Sequence, residues 1–283
     1  MAQDMSRWTK YLSKTGNVRV VTIEAKPLID EIAQRHGLSG DLLQGISDAT
    51  LAGLLFAACQ KGGERVNLSI QGSGKWKQAV VDAYPEGFVR AYIAPGQAED
   101  WSNPSRGPWG NGLLTILHTK NAEGQRPYSG TVSLETGYLD QDLAFYWHQS
   151  EQLTSNVVIS GPRAILAQAI AGATPEELKM IEACRPELQE IAKADISKPV
   201  ALLEKAFPNA HFAVVEETPL KFRCNCSQER VEEAMLLTSA DDVRYLLGDN
   251  DHIDVKCDFC GQKYQLSRQK AESIIGRMNK GKA

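Results

Sequence analysis

Four of the six cysteines in this 283-residue chain fall in two close pairs. Cys224-Asn225-Cys226 is followed, after thirty residues, by Cys257-Asp258-Phe259-Cys260-Gly261. Four thiolates brought together satisfy the tetrahedral sulfur preference of zinc, at about 2.3 Å per bond. The second pair reads as a zinc knuckle, a tight turn whose backbone N–H groups point at the sulfurs, with Gly261 free to take positive φ where the chain reverses. Paired thiols can also form disulfides. The N-terminus, Met1 to Trp8, meets charged residues at once and builds no apolar secretory stretch, so a cytoplasmic setting is expected, where clustered thiols are metal ligands or redox groups rather than resting bridges. His252 is the nearest further donor; with four thiolates present it reads as a solvated strand-edge histidine. Cys59, on an apolar helix, reads as a small buried hydrophobe. Cys184, beside Arg185 and two residues before Pro186, reads as a more exposed bystander.

What a metal would do there is left open by spacing. It can be a structural site that holds a small domain folded. It can also be a switch, because a C-x-C and a C-x-x-C pair each place two sulfurs near enough to close a local disulfide, and two such oxidations would consume all four ligands. Zinc contributes about 10–16 kcal/mol in small zinc peptides, more than a module of some sixty residues can replace, so oxidation would unfold it.

The elements that must position these thiols follow from pattern. Residues 1–172 mix alternating stretches, Val18–Ile23, Val66–Ile70, Val89–Ile93 and Leu114–Leu117, with helical runs near 27–37 and 47–60, which predicts an α+β core. Ala49 to Cys59 is apolar nearly all round, as suits a helix covered by a sheet. Residues 173–220 turn helical at Thr174-Pro175-Glu176-Glu177, an N-cap with proline at the first helical position and acids in the first turn. Four later prolines break the stretch, and its net charge is −4. It reads as a helical linker held by docking, able to come loose. In residues 221–283 Ser227 should cap a helix with Val231, Ala234, Met235 and Thr238 on its apolar face. Ser239 should cap a second, with Val243, Leu246 and Leu247 facing in and Gly248 closing it. A strand from His252 to Val255, a return strand after the knuckle and a last helix from about Ser267 complete a small C-terminal zinc-binding domain.

Composition excludes several classes. The net charge of −4 offers no global basic field, and the tail, at net +1 before thiolates are counted, is a poor nucleic-acid module despite its lysines and arginines. The longest apolar run, Leu51 to Cys59, falls far short of the roughly 20 residues of a membrane span. Gly72-Ser73-Gly74-Lys75 lacks the rest of a phosphate loop, and no nucleophile elbow, zinc-protease helix or dinucleotide fingerprint occurs. A thioredoxin-like dithiol would open a helix, whereas Cys260 runs into a strand-like return. No catalytic constellation is found, so the chain is not expected to be an enzyme.

The residues resemble the redox-regulated 33-kilodalton heat-shock chaperone family, holdases activated by disulfide formation. The likeness is carried by Phe222-Arg223-Cys224-Asn225-Cys226-Ser227 and Val255-Lys256-Cys257-Asp258-Phe259-Cys260, then Tyr264. In the core it is carried by Pro127-Tyr128-Ser129-Gly130-Thr131-Val132, Asp142-Leu143, Tyr146, Ser150-Glu151-Gln152 and the turn at Gly110, Gly112 and Leu113. Three features depart from the family pattern: Arg90-Ala91-Tyr92 stands for arginine-glycine-tyrosine, Gly161-Pro162-Arg163-Ala164 replaces a glycine pair expected before a helix near Gln168, and Cys184 is an addition.

The resemblance implies an ATP-independent chaperone that is off when reduced, with one Zn2+ on Cys224, Cys226, Cys257 and Cys260 and the linker lying over the core. It implies activation by Cys224–Cys226 and Cys257–Cys260 disulfides with zinc release, after which tail and linker unfold. Ile181, Leu188, Ile191, Leu202, Leu203 and Phe207 are then candidate contacts for unfolding clients. A homodimer on activation is implied, and neither nucleic acid nor membrane is an expected partner.

Overall fold

A computed structural model describes residues 5–60, 64–96, 105–120, 127–193 and 199–280. The chain divides into two compact units, Met1–Arg223 and Cys224–Ala283.

The first unit opens with strands β1 (Arg7–Leu12) and β2 (Val18–Glu24), then helices α1 (Lys26–His36) and α2 (Gly40–Cys59). Strands β3 (Glu64–Gly72), β4 (Trp76–Ala83), β5 (Phe88–Pro95), β6 (Gly112–Lys120) and β7 (Tyr128–Ser133) precede α3 (Leu139–Glu151), β8 (Ser155–Ser160) and β9 (Arg163–Ala169). The linker supplies α4 (Pro175–Ala183), α5 (Arg185–Lys193), α6 (Pro199–Ala206) and β10 (Ala213–Pro219), and β11 (Lys221–Phe222) follows it. One sheet runs β10-β1-β2-β9-β8, antiparallel throughout; the other runs β11-β5-β4-β3-β6-β7, with β11 parallel to β5.

Helix α2 packs against strands of both sheets. Its length and composition are those of a membrane span, yet it is a core helix, buried from Gly45 to Ala58 almost without a break. Glycine makes that fit: a Cβ on Gly53 would lie 2.6 Å from Val81 Cγ1. Phe56 of this helix stacks on Trp147 of α3 with ring centroids 4.3 Å apart. The resemblance motif is structural here. Buried Asp142 accepts from the Thr136 and Gly137 N–H groups at 2.8 and 3.0 Å, fixing the turn at Gly137 (φ +74) that starts α3. Ala91, at the glycine position of the family pattern, is fully buried in the core.

The first sheet is apolar on both faces, and its two-residue period separates them. Val21, Ile23, Leu166 and Val157 face the α2 core, while Val18, Val20, Ile165, Ala167 and Val158 face a second cluster built with the linker helices. An antiparallel sheet usually leaves one face to water and alternates in sequence; here the linker covers that face, so successive residues are apolar at Val20-Val21 in β2 and from Ala164 to Ala167 in β9.

Two expectations are corrected. The segment through Gln168 is strand β9, not a helix, because Gly161 (φ +57) and Pro162 make a tight turn that returns 163–169 along β8. Cys184 is 2 % exposed. It closes α4 on the side that meets the sheet, donates to the Ile181 carbonyl at 3.1 Å, and its thiol is pushed up to about 12 by burial. Thr174 does cap α4, in a full capping box with Glu177. The linker is helical over α4–α6 and then extended, since β10 finds a free edge on β1.

Candidate metal centre

The second unit carries α7 (Gln228–Leu236), α8 (Ala240–Leu247), the hairpin β12 (His252–Lys256) and β13 (Lys263–Ser267), and α9 (Arg268–Lys280). Ser227 caps α7 by accepting from the Arg230 N–H at 3.3 Å, and Ser239 forms a capping box with Asp242 on α8. The apolar faces are narrower than the sequence suggests. Val231 and Met235 are buried on α7, while Ala234 and Thr238 are exposed; on α8 Val243 and Leu247 are buried, but Leu246 is 47 % exposed. Such short helices turn a single i, i+4 pair toward so small a core.

The hairpin and the start of α7 bring the four thiols together. Five registered pairs, His252 with Ser267 through Lys256 with Lys263, aim the β12 end at the knuckle. There the Cys257 N–H donates to Gln262 O at 2.9 Å, the Gly261 N–H donates to Cys257 O at 2.8 Å, and Gly261 sits at φ +73. Cys226 lies one residue before the α7 cap, and Gln228 Nε2 donates to Gln265 O at 3.2 Å, tying α7 to β13.

All four Sγ atoms lie within 4.8 Å of one another. Cys224 and Cys257 are 3.8 Å apart, Cys226 and Cys260 3.3 Å. A tetrahedron with metal–sulfur bonds of about 2.3 Å has edges of about 3.8 Å, so the cluster has the size of a four-thiolate metal site. Its chemistry fits as well. Burial pushes the Cys257 and Cys260 thiols up from their ordinary range, which disfavours bare thiolates, and a bound cation is what would deprotonate them. The six cysteines are free thiols in this structure, and the four in the cluster can hold a metal ion.

The Tyr264 hydroxyl donates to Cys226 Sγ at 3.0 Å. The sequence marks Tyr264 only as a family position; its polar tip on an otherwise inward strand residue was the available signal. His252 stands apart from the thiols, on the strand edge against Gln265 and Asp254 at 3.1 and 3.4 Å. Cys59 is half-buried against the α2 core, its thiol raised by burial.

The six proposed client contacts all join the linker layer. Ile181, Leu188, Ile191, Leu203 and Phe207 are buried in it, and Leu202 is partly buried. Sequence reasoning missed the other half of this layer: Tyr11, Val18, Val20, Val158, Ile165, Ala167 and Ala169 on the sheet. The adjacent apolar residues Val20 and Val21, one to each face of the strand, were the signal that both faces are covered.

A family model described as Hsp33 protein matches residues 6–267. The chain is 28 % identical to the 33 kDa chaperonin of Geobacter sulfurreducens, over 94 % of this chain and 93 % of that one. It is 29 % identical to the 33 kDa chaperonin of Limosilactobacillus fermentum, over 94 % and 97 %. Among solved structures, the 33 kDa chaperonin (heat shock protein 33 homolog) of Thermotoga maritima superposes with a TM-score of 0.81 at 22 % identity, covering 98 % of this chain and all of that one.

Proposed function

Because the chain belongs to the Hsp33 family of chaperones, we propose that it is a redox-regulated, ATP-independent holdase of the cytoplasm, latched by zinc. The observation that carries the reading is the thiol cluster of metal-site dimensions, held in a unit of only sixty residues. Zinc bound there would supply four metal–sulfur bonds that cross-link the start of α7 to the β12–β13 hairpin.

Cys224, Cys226, Cys257 and Cys260 are the ligands and the sensors. Peroxide takes two electrons from each pair: Cys224 with Cys226 and Cys257 with Cys260 each form one S–S bond, and each peroxide leaves as two waters after taking up two protons. Two disulfides leave no thiolate for the metal, which is released. The C-terminal unit then loses the cross-links that its small core cannot replace, and 173–220, which runs directly into Cys224, loses its folded neighbour in the chain.

Release of α4–α6 uncovers two apolar surfaces at once, the helix faces bearing Ile181, Leu188, Ile191, Leu202, Leu203 and Phe207 and the sheet face bearing Val18, Val20 and Ile165. Contiguous apolar surface of this kind binds unfolding proteins and favours self-association, so a homodimer is the expected activated form. Proteins that expose their cores, rather than nucleic acid or membrane, are the partners, and no catalysis is involved.

The test is light scattering from a heat-unfolding client, with either the reduced zinc-loaded protein or the same protein after peroxide at elevated temperature. Suppression by the oxidised form alone is expected. Equal suppression by both forms, or by neither, would overturn the switch and leave a structural metal site.

A further inference from the structure

A pocket of about 530 Å³ opens in the first unit between α1, α2, α3 and α5, beside the β8–β9 turn. Its walls are apolar at Ile29, Leu43, Leu139 and Ile159. Each of the four helices packed around it also brings charge. From α1, Lys26 and Asp30 pair with each other at 2.6 Å. From α3 and α5, Asp140 and Arg185 pair at 2.5 Å, and the second guanidinium nitrogen of Arg185 donates to the Val157 carbonyl at 2.6 Å. Apart from Asp48, Tyr138 is the remaining titratable side chain on the pocket wall, and no histidine lines it among the described residues.

That leaves Asp48 of α2. It lines the pocket and has no hydrogen bond or ion pair among the described residues. Its position is fixed from the preceding residue, since the buried Ser47 hydroxyl donates to the Gly161 carbonyl at 3.0 Å and holds this face of α2 against the turn. A part-buried carboxylate without a counter-ion carries a desolvation cost that a charged partner would offset. Two ion pairs cancel, so the pocket with Asp48 ionised holds one uncompensated negative charge inside apolar walls.

We propose that this pocket binds an organic cation, an ammonium or guanidinium group carried on an apolar body, with Asp48 as its counter-ion. The apolar body lies on Ile29, Leu43 and Ile159 while the cation meets the carboxylate. A hard metal cation is a poor fit, because it would need several oxygen ligands and Asp140 and Asp30 are already engaged. Burial and the charge of Asp140 push the Asp48 carboxyl up to about 7. The cation needs the ionised form, so affinity rises with pH through neutrality; between pH 6 and 8 the ionised fraction grows about tenfold. The pocket is present in the thiol form of the protein, so none of this depends on the redox reading.

The test is an NMR and calorimetric titration of the full-length reduced protein with two charged probes, butylguanidinium and the blocked peptide acetyl-Leu-Arg-Leu-amide. Butylurea and the citrulline peptide serve as neutral counterparts. Expected are shifts of the amides around Asp48, Leu139 and Ile159, binding about tenfold tighter at pH 8 than at pH 6, no response to the neutral probes, and loss of binding in Asp48→Asn. Tighter binding of butylguanidinium points to a small free organic cation as the natural source, tighter binding of the peptide to a basic side chain of a polypeptide. Absence of binding by both charged probes at pH 8, equal binding by the neutral ones, or undiminished binding in Asp48→Asn overturns the proposal. Should Asp48→Asn fail to fold, the pH dependence and the neutral probes on the unmodified protein decide.

Discussion

The first sheet and the C-terminal hairpin both have an apolar face to cover, and they do so by different means. The sheet has a helix core on one side and a linker layer on the other, so its strands are held even if one cover leaves. The hairpin unit has one thin layer, in which Val231, Met235, Val243, Leu247, Ile253, Leu266, Ala271 and Ile274 are the buried apolar residues among those described. A unit of about sixty residues with eight such side chains needs a staple, and the thiol cluster sits where the staple belongs. Stability is therefore concentrated in the core and conditional at the tail, which is the distribution a chemically triggered opening requires.

The largest expected effect breaks that comparison at the tail. Removing zinc from the reduced protein with a chelator, or replacing Cys257 by serine, should unfold the C-terminal unit and loosen α4–α6, while β2, β9 and α2 of the first unit stay folded. The loss is on the order of the 10–16 kcal/mol that structural zinc contributes in small domains. Amide spectra should show the tail resonances collapse to random-coil positions while those of β2, β9 and α2 stay dispersed. A tail that keeps its dispersed spectrum without metal would mean that its apolar layer suffices.

A middle-sized effect compares the two covers of the sheet. Leu188→Ala in the linker layer and Leu54→Ala in the α2 core remove the same atoms from fully buried sites, each costing about 2–5 kcal/mol. The consequences should differ. Leu54→Ala should lower the global thermal midpoint of the first unit. Leu188→Ala should speed hydrogen exchange in α4–α6 and give the reduced protein part of the holdase activity, with the sheet intact. If Leu188→Ala instead lowers the global midpoint as far as Leu54→Ala, the linker is an integral part of the core and not a detachable cover.

Legibility in the sequence followed how local each determinant is. The thiol cluster was readable because ligand spacing, the Gly261 turn and two capping serines all lie within the segment they shape. The linker N-cap at Thr174 was readable for the same reason, and the structure completes it with Glu177 as a capping box. Burial of Cys184 and exposure of Leu246 were not, because each depends on which side of a short helix meets a partner from elsewhere in the chain. The strand through Gln168 was missed because its apolar residues face two different layers, which erases the alternation that marks a strand. Asp48 gave no signal at all, since its neighbours in the pocket come from Lys26, Asp140 and Arg185, far away in sequence.

The smallest effect concerns how the linker layer is fastened at its first turn. Glu177 joins α4 to the β1–β2 turn: its carboxylate accepts from the Thr174 N–H at 2.8 Å, from the Thr15 hydroxyl at 2.9 Å and from Asn17 Nδ2 at 3.3 Å. These bonds, the Thr174 N–H foremost, hold the Glu177 carboxyl below its ordinary value of 4.5. A carboxylate with a lowered folded pKa contributes stability that is complete above the unfolded value and is lost as pH falls through the folded one. The fastening is thus intact at neutral pH and released only by acid below about pH 4.5. Because the group is largely exposed, its share is small and screened by salt. Hydrogen exchange of the first turns of α4 in the reduced protein, corrected for the intrinsic pH dependence, should lose protection between pH 6 and 3.5. In Glu177→Gln protection at pH 6 should already be reduced and should change little on acidification. An unchanged acid response in that variant would assign the acid-labile fastening to another carboxylate and leave α4 held by the packing of Ile181 and the Asn156 Nδ2 hydrogen bonds to the Ile181 and Glu182 carbonyls.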